Sequence, residues 1–224
     1  MNKKIIITAM LLIFSTIITL IDAFIPINYF LKIPIKIFFF FIVPVLFLIK
    51  NKEDLNNLKK LFIFKKKGLI KSLLIGLGIY SLIIGGYFLT KNIIDFSNIT
   101  ANLTSNAGIT SKNFIYVSLY ISFFNSFLEE FFFRGLGFIT LKEYTPRKNA
   151  YLTSSIIFAI YHIGMLINMF NFPILILLLI GLIVGGCIFN YLNEKNKNIY
   201  TSWFVHMFAN FAINTIGFIL FNTP

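Results

Sequence analysis

Acidic residues, histidines and cysteines are all scarce in this sequence. Asp and Glu number 8 in 224 residues, His 2 and Cys 1, and only 12% of positions are charged. Soluble domains carry about 25% charged residues, so this chain is short of the material for a water-facing surface. The single Cys187 excludes an intrachain disulfide, and its place in an apolar run suits a small packing residue. No H-E-x-x-H is present, so the usual single-helix zinc signature is missing. Repeats of fixed period, low-complexity tracts and long linkers are also missing, which leaves one membrane domain over 1–224. Alternating apolar and polar residues are absent too, and that argues against a barrel. What the chain does have is hydrophobicity: 58% of residues are hydrophobic and mean hydropathy is +0.84.

The apolar residues fall in long continuous runs, and about 20 residues of helix cross a hydrocarbon core of about 30 Å. The runs predict an all-α, polytopic transmembrane helical bundle of about seven spans, at 5–21, 33–49, 68–89, 114–141, 151–170, 173–192 and 199–221. The fourth is too long for one straight span. A break near Gly135 and Gly137 would make eight. Met1-Asn2-Lys3-Lys4 before an apolar stretch to Leu20 has the charge order of a secretory signal. The stretch exceeds a signal's apolar core and no A-x-A site follows, so it reads as a retained first helix. Gly181 and Gly185 form a G-x-x-x-G, and with Gly85 and Gly86 they are expected to let helices pack closely.

A net charge of +12 raises the question of nucleic acid. The lysines, however, sit in short connections, with no basic face interleaved with stacking aromatics, so nucleic acid is not an expected partner. The lipid bilayer is. Lys3, Lys4, the lysines at 50, 52, 59, 60, 65, 66 and 67, then Lys142, Arg147, Lys148, Lys195 and Lys197 all fall on one side of a seven-span chain. The other side holds Lys32, Lys91 and Lys112 with Asp22 and Asp95, and Lys36 lies just inside the second span. Positive residues stay cytoplasmic, which predicts a multi-pass cell-membrane protein with its N-terminus in the cytoplasm and its C-terminus outside. Within 50–67, Leu55, Leu58, Leu61, Phe62 and Phe64 alternate with lysines, a pattern suited either to an interfacial segment holding anionic lipid or to a topological anchor.

Ionisable groups in hydrocarbon cost about 2.5 to 3.5 kcal/mol each on insertion scales, so Glu129, Glu130, His162 and His206 call for partners or work. Glu129 lies about 18 Å from the cytoplasmic end of its run, His162 about 17 Å and Asn210 about 16 Å, with His206 one turn closer to the cytoplasm. Three helices thus bring polar groups to one level. Glu130 and Arg134 share a helix face and suit a structural ion pair, whereas Glu129 points about 100° away. His206 and Asn210 also share a face, which Ser202 continues, but Ser202 lacks the base and orienting group a nucleophile needs. A carboxylate beside a histidine can deprotonate water, and a second histidine with an amide can bind the resulting oxyanion. Glu129, His162 and His206 are also the donor set of a two-histidine, one-carboxylate zinc site.

Three strings carry a resemblance: Glu129-Glu130-Phe131-Phe132-Phe133-Arg134, Phe158-Ala159-Ile160-Tyr161-His162 and His206-Met207-Phe208-Ala209-Asn210. In order, they resemble the E-E-x-x-x-R, F-x-x-x-H and H-x-x-x-N motifs of the CAAX protease and bacteriocin-processing family. The match covers 129–210. It implies an intramembrane endopeptidase related to the type II CAAX prenyl endopeptidases, in which Glu129 and His162 activate water while His206 and Asn210 form the oxyanion site. A metal-independent glutamate mechanism is the expectation, with a single zinc ion as the alternative. Bacterial relatives of that family are linked to peptide maturation, bacteriocin immunity and regulation, and richness in Ile, Lys, Asn and Phe suits an AT-rich bacterial genome. The expected substrate is therefore a membrane-associated peptide or protein rather than a prenylated one. The main alternative is a non-catalytic immunity or partner-binding protein that uses the polar cluster as glue. A transporter is disfavoured because no matching pair of Gly/Pro-broken spans occurs in the two halves.

Overall fold

The structure, a computed structural model, describes residues 2–66 and 68–222. Met1, Lys67 and Pro224, which entered the charge and terminus expectations, lie outside the described residues. The fold is all-α. Its principal helices are α1 (Lys3–Phe24), α2 (Tyr29–Ile49), α3 (Lys52–Leu61), α4 (Leu69–Thr90) and α5 (Ser97–Ala107), then α6 (114–140), α7 (Arg147–Leu166), α8 (Phe172–Asn196) and α9 (Tyr200–Asn222).

Six helices among the described residues are long and apolar enough to cross a membrane, namely α1, α2, α4, α7, α8 and α9. The expected count of about seven is corrected to about six. The difference lies in α6, where Glu129, Glu130 and Arg134 dilute an otherwise apolar run. These charges cost little in place, because their stretch of α6 does not face lipid: every residue from Glu130 to Phe138 is buried by protein. Nor does α6 break at its glycines. It stays helical through them, with wider π-type turns over Ile121–Asn125 and Glu130–Thr140. Gly135 and Gly137 serve close packing: an added Cβ would come within 2.9 Å of Leu58 in α3 and of Leu11 in α1 respectively.

The glycines expected to pack helices behave differently. A Cβ at Gly85, Gly86, Gly181 or Gly185 would meet nothing within 4 Å, so within this chain these positions face outward. Other glycines make close approaches, among them Gly76 beneath Phe208 and Gly186 against Ser155. Tight packing thus occurs where α4 meets α9 and α7 meets α8, pairs that contact along their length.

Within the basic 50–67 segment, Lys52–Leu61 form the amphipathic α3. Leu58 and Leu61 turn inward, while Lys52, Lys59 and Lys60 point out. Asp54 also turns inward, accepting from the Lys3 ammonium at 3.2 Å and the Tyr144 hydroxyl at 2.5 Å. Burial alone would raise this carboxyl, but hydrogen bonds from Tyr144, Asn51 and Lys3 outweigh it and hold Asp54 below the usual carboxylate range. This clasp ties the start of α1 and the turn after α6 to α3. One large core, running from Ile7 through Phe132, Phe133 and Phe158 to Val205, fills the space between α1, α6, α7 and α9.

Candidate active site

Polar side chains on α9 recur every fourth residue and all meet α6. Ser202 reaches Glu130 at 2.5 Å, and His206 reaches Glu130 at 3.0 Å. Asn210 donates to the Ile121 carbonyl at 3.2 Å, and Asn214 to Ser122 Oγ at 3.0 Å. Phe114 then packs on Phe218 with ring centroids 4.7 Å apart. The two helices therefore run antiparallel along one polar seam. Four-residue spacing puts a side chain on the same face at each turn, and apolar surroundings leave these groups only each other as partners.

Glu129 stands beside this seam, 2% exposed, and its two oxygens have different surroundings. Oε1 accepts from Asn125 Nδ2 at 2.7 Å, from Lys36 Nζ at 2.9 Å and from the Tyr161 hydroxyl at 3.1 Å. Oε2 faces His206 Nε2 at 3.6 Å and His162 Nε2 at 3.9 Å, both too long for direct hydrogen bonds.

The tautomers follow from the far side of each ring. His162 Nδ1 is 2.7 Å from the Phe158 carbonyl, which only accepts, so Nδ1 carries the proton. His206 Nδ1 is 3.0 Å from Glu130 Oε1 and is protonated for the same reason. In the neutral rings both Nε2 lone pairs then converge with Glu129 Oε2. Three acceptors around one gap need a donor between them, a role that the two O–H groups of a water molecule can fill. His162 is the most open member, with its side chain 16% exposed against 6% for His206 and 3% for Glu129.

Glu130 lies under His206. Its Oε1 is 3.6 Å from Arg134 Nε, with both side chains wholly buried. The Arg134 guanidinium stacks 4.0 Å from the Phe158 ring centre and 4.9 Å from that of Phe189, and among the described residues none of its nitrogens has a hydrogen-bond acceptor. The pair expected from spacing is present as an ion pair, and Glu130 also orients His206, a contact that i, i+4 reasoning within one helix does not reach. Ser202, with its hydroxyl on Glu130, belongs to the same cluster.

Of the four residues expected at one site, the structure brings Glu129, His162 and His206 together and sets Asn210 one turn further along α9, with its amide on Ile121. Sequence reasoning missed Lys36, Asn125 and Tyr161, which hold the other carboxylate oxygen. The available signal was Lys36, a charge embedded in the apolar run of α2 and so in need of a buried partner. As for metal, the donor types suit zinc, but no three His, Cys, Asp or Glu side chains among the described residues are arranged to hold an ion. A further cation would also have to share Glu129 with Lys36.

These features define a class: a polytopic helical membrane protein with a carboxylate–histidine centre buried between its helices. Residues 111–212 match the family described as Rce1-like, type II CAAX prenyl endopeptidase. Through this segment, which contains α6, α7, α8 and the site half of α9, the chain carries a domain of that family. No curated protein and no solved structure matches the chain.

Proposed function

We propose that the protein is an intramembrane endopeptidase of metal-independent type that hydrolyses a peptide bond in a membrane-associated peptide or protein. The observation that carries this reading is the convergence of Glu129 Oε2 with the Nε2 atoms of His206 and His162, at 3.6 and 3.9 Å, inside a buried centre. A water held there donates to Oε2 and to His162 Nε2. As its oxygen adds to the substrate carbonyl, Glu129 takes its proton. The tetrahedral oxyanion lies towards Asn210, whose amide can turn from Ile121 to donate, and towards His206 in its imidazolium form, in which Nε2 as well as Nδ1 carries a proton. Collapse breaks the C–N bond, and the proton held by Glu129 passes to the leaving amine. Support for a reaction without metal comes from Lys36, which already balances the Glu129 charge. The family's name points to prenylated CAAX chains, but we favour an unprenylated peptide precursor, with peptide maturation or immunity as the biological setting.

The test is purified protein incubated with membrane peptides, one of them a prenylated CAAX peptide, with fragments read by mass spectrometry. Wild type should produce new termini, chelator should leave the rate unchanged, and His162→Ala should slow it about 10²-fold or more. No fragments from any peptide, or an undiminished His162→Ala, would sink the reading. Inhibition by chelator would transfer it to zinc.

We further propose one multi-pass domain with a cytoplasmic N-terminus. Two observations support opposite ends of the bundle for the loops: Lys3 meets Asp54 and Tyr144 at one end, and Phe114 meets Phe218 at the other. In a Cys187→Ser background, cysteines at Lys59 and Asp95 should label from opposite faces, cytoplasmic and external. Labelling of both from one face would refute this orientation.

A further inference from the structure

Among the described residues, Lys36 is the one side chain from outside the family segment 111–212 that bonds to Glu129, His162 or His206. It sits on α2, within Ile35-Lys36-Ile37-Phe38, where a lysine would ordinarily snorkel to the membrane surface. Its ammonium turns inward instead. It donates to Glu129 Oε1 at 2.9 Å, to Asn125 Oδ1 at 2.5 Å and to the Tyr161 hydroxyl. An ammonium has three N–H groups, and three acceptors use them all. Tyr161 and Asn125 Nδ2 each donate in turn to Glu129 Oε1. The result is a closed clamp from α2, α6 and α7 around a single carboxylate oxygen.

From this geometry we infer that Lys36 is the counter-ion and positioning residue of Glu129: it fixes the carboxylate so that Oε2, and not Oε1, faces the two histidines. The inference rests on the proposed peptidase reading for its catalytic consequence, though not for the ion pair itself. A carboxylate rotates about its last bond with little cost. With three donors fixed on Oε1, rotation would break them all, so Oε2 stays within 3.9 Å of both Nε2 atoms. The clamp also neutralises a charge that is otherwise costly in an apolar interior. The groups facing Glu129 are Lys36 from α2, Tyr161 and His162 from α7, and His206 from α9, with Asn125 from α6 itself; Lys36 is the permanent cation among these contacts. Such a lysine positions the base without touching substrate. Arginine keeps the charge, but its planar fork cannot place three donors on three converging acceptors.

Two measurements on the purified full chain separate this role from general scaffolding. The first is a stability cycle over Lys36→Met, Glu129→Gln and the double variant, read as folded monodisperse protein and thermal midpoint. Lys36→Met should lose folded protein in the wild-type background, where it strands a carboxylate, and much less in the Glu129→Gln background. Additive losses would overturn the counter-ion. The second is steady-state cleavage of a peptide that wild type cuts. Lys36→Arg should accumulate normally and lose kcat by about 10- to 100-fold with KM unchanged, the scale of a misplacement of about 1 Å. Wild-type kcat in Lys36→Arg would overturn the positioning role. If wild type cut no peptide, the peptidase reading would fall alone, and the stability cycle would still decide whether Lys36 and Glu129 form one unit.

Discussion

Glu129→Gln is expected to abolish peptide cleavage while leaving most of the protein folded. The substituted amide has the volume of the carboxylate, and its oxygen can accept the Lys36, Tyr161 and Asn125 donors that now hold Oε1. Its NH2 group then takes the place of Oε2, opposite the Nε2 atoms of His206 and His162 at 3.6 and 3.9 Å. There it turns N–H groups towards them, where Oε2 offered only lone pairs. The change therefore removes the base and also fills the need for a donor that would hold water in the gap. Loss of a general base costs about 10²- to 10⁴-fold, so turnover should fall at least that far, with KM little changed. Glu129→Ala should be worse for folding, because it also removes the oxygen that accepts from Lys36, Tyr161 and Asn125. The measurement is kcat and KM on a peptide cut by wild type, alongside folded yield for both variants. Wild-type turnover in Glu129→Gln would remove the enzymatic reading and leave partner binding as the function.

The reasons why parts of this arrangement were legible in sequence, and others not, are physical. Lipid imposes a length on helices, so α1, α2, α4, α7, α8 and α9 stand out as apolar runs with ends misplaced by only a few residues. The same rule misjudged α6, since the half that carries its charges is enclosed by other helices and so is free of lipid's demand for apolar side chains. Glu129, His162 and His206 could be grouped because ionisable residues in hydrocarbon must find one another. Asn210 could not be placed as surely. An amide is cheap enough to bury that a backbone carbonyl, here Ile121, satisfies it as well as a catalytic partner would. Lys36 was hidden by its neighbourhood in the chain: seven residues from the start of α2, it reads as a lysine near the interface. Only the packing of α2 on α6 shows that it points inward.

Arg134→Ala should be the most damaging single change to folding. Arg134 is wholly buried, as is Glu130, and their charges lie 3.6 Å apart. Removing one member of such a pair leaves the other uncompensated, at a cost of about 3 to 5 kcal/mol. That is a large share of the about 5 to 15 kcal/mol that holds a typical domain together. Truncation also leaves a void beside Phe158 and Phe189, whose ring centres now lie 4.0 and 4.9 Å from the guanidinium. Arg134→Lys should recover little, because a compact ammonium cannot cover two ring faces as a guanidinium does and, being strongly hydrated, suffers more where even the Arg134 nitrogens find no hydrogen-bond partner among the described residues. The double variant Glu130→Gln/Arg134→Met should fold better than Arg134→Ala, since it removes both charges and fills the space. Its turnover should still be low, because Glu130 Oε1 also sets the His206 ring from 3.0 Å. Folded yield and thermal midpoint of the three variants decide the matter. If Arg134→Ala accumulated like wild type and lost only turnover, Arg134 would belong to the reaction rather than to the frame that holds Glu130 and His206 in place.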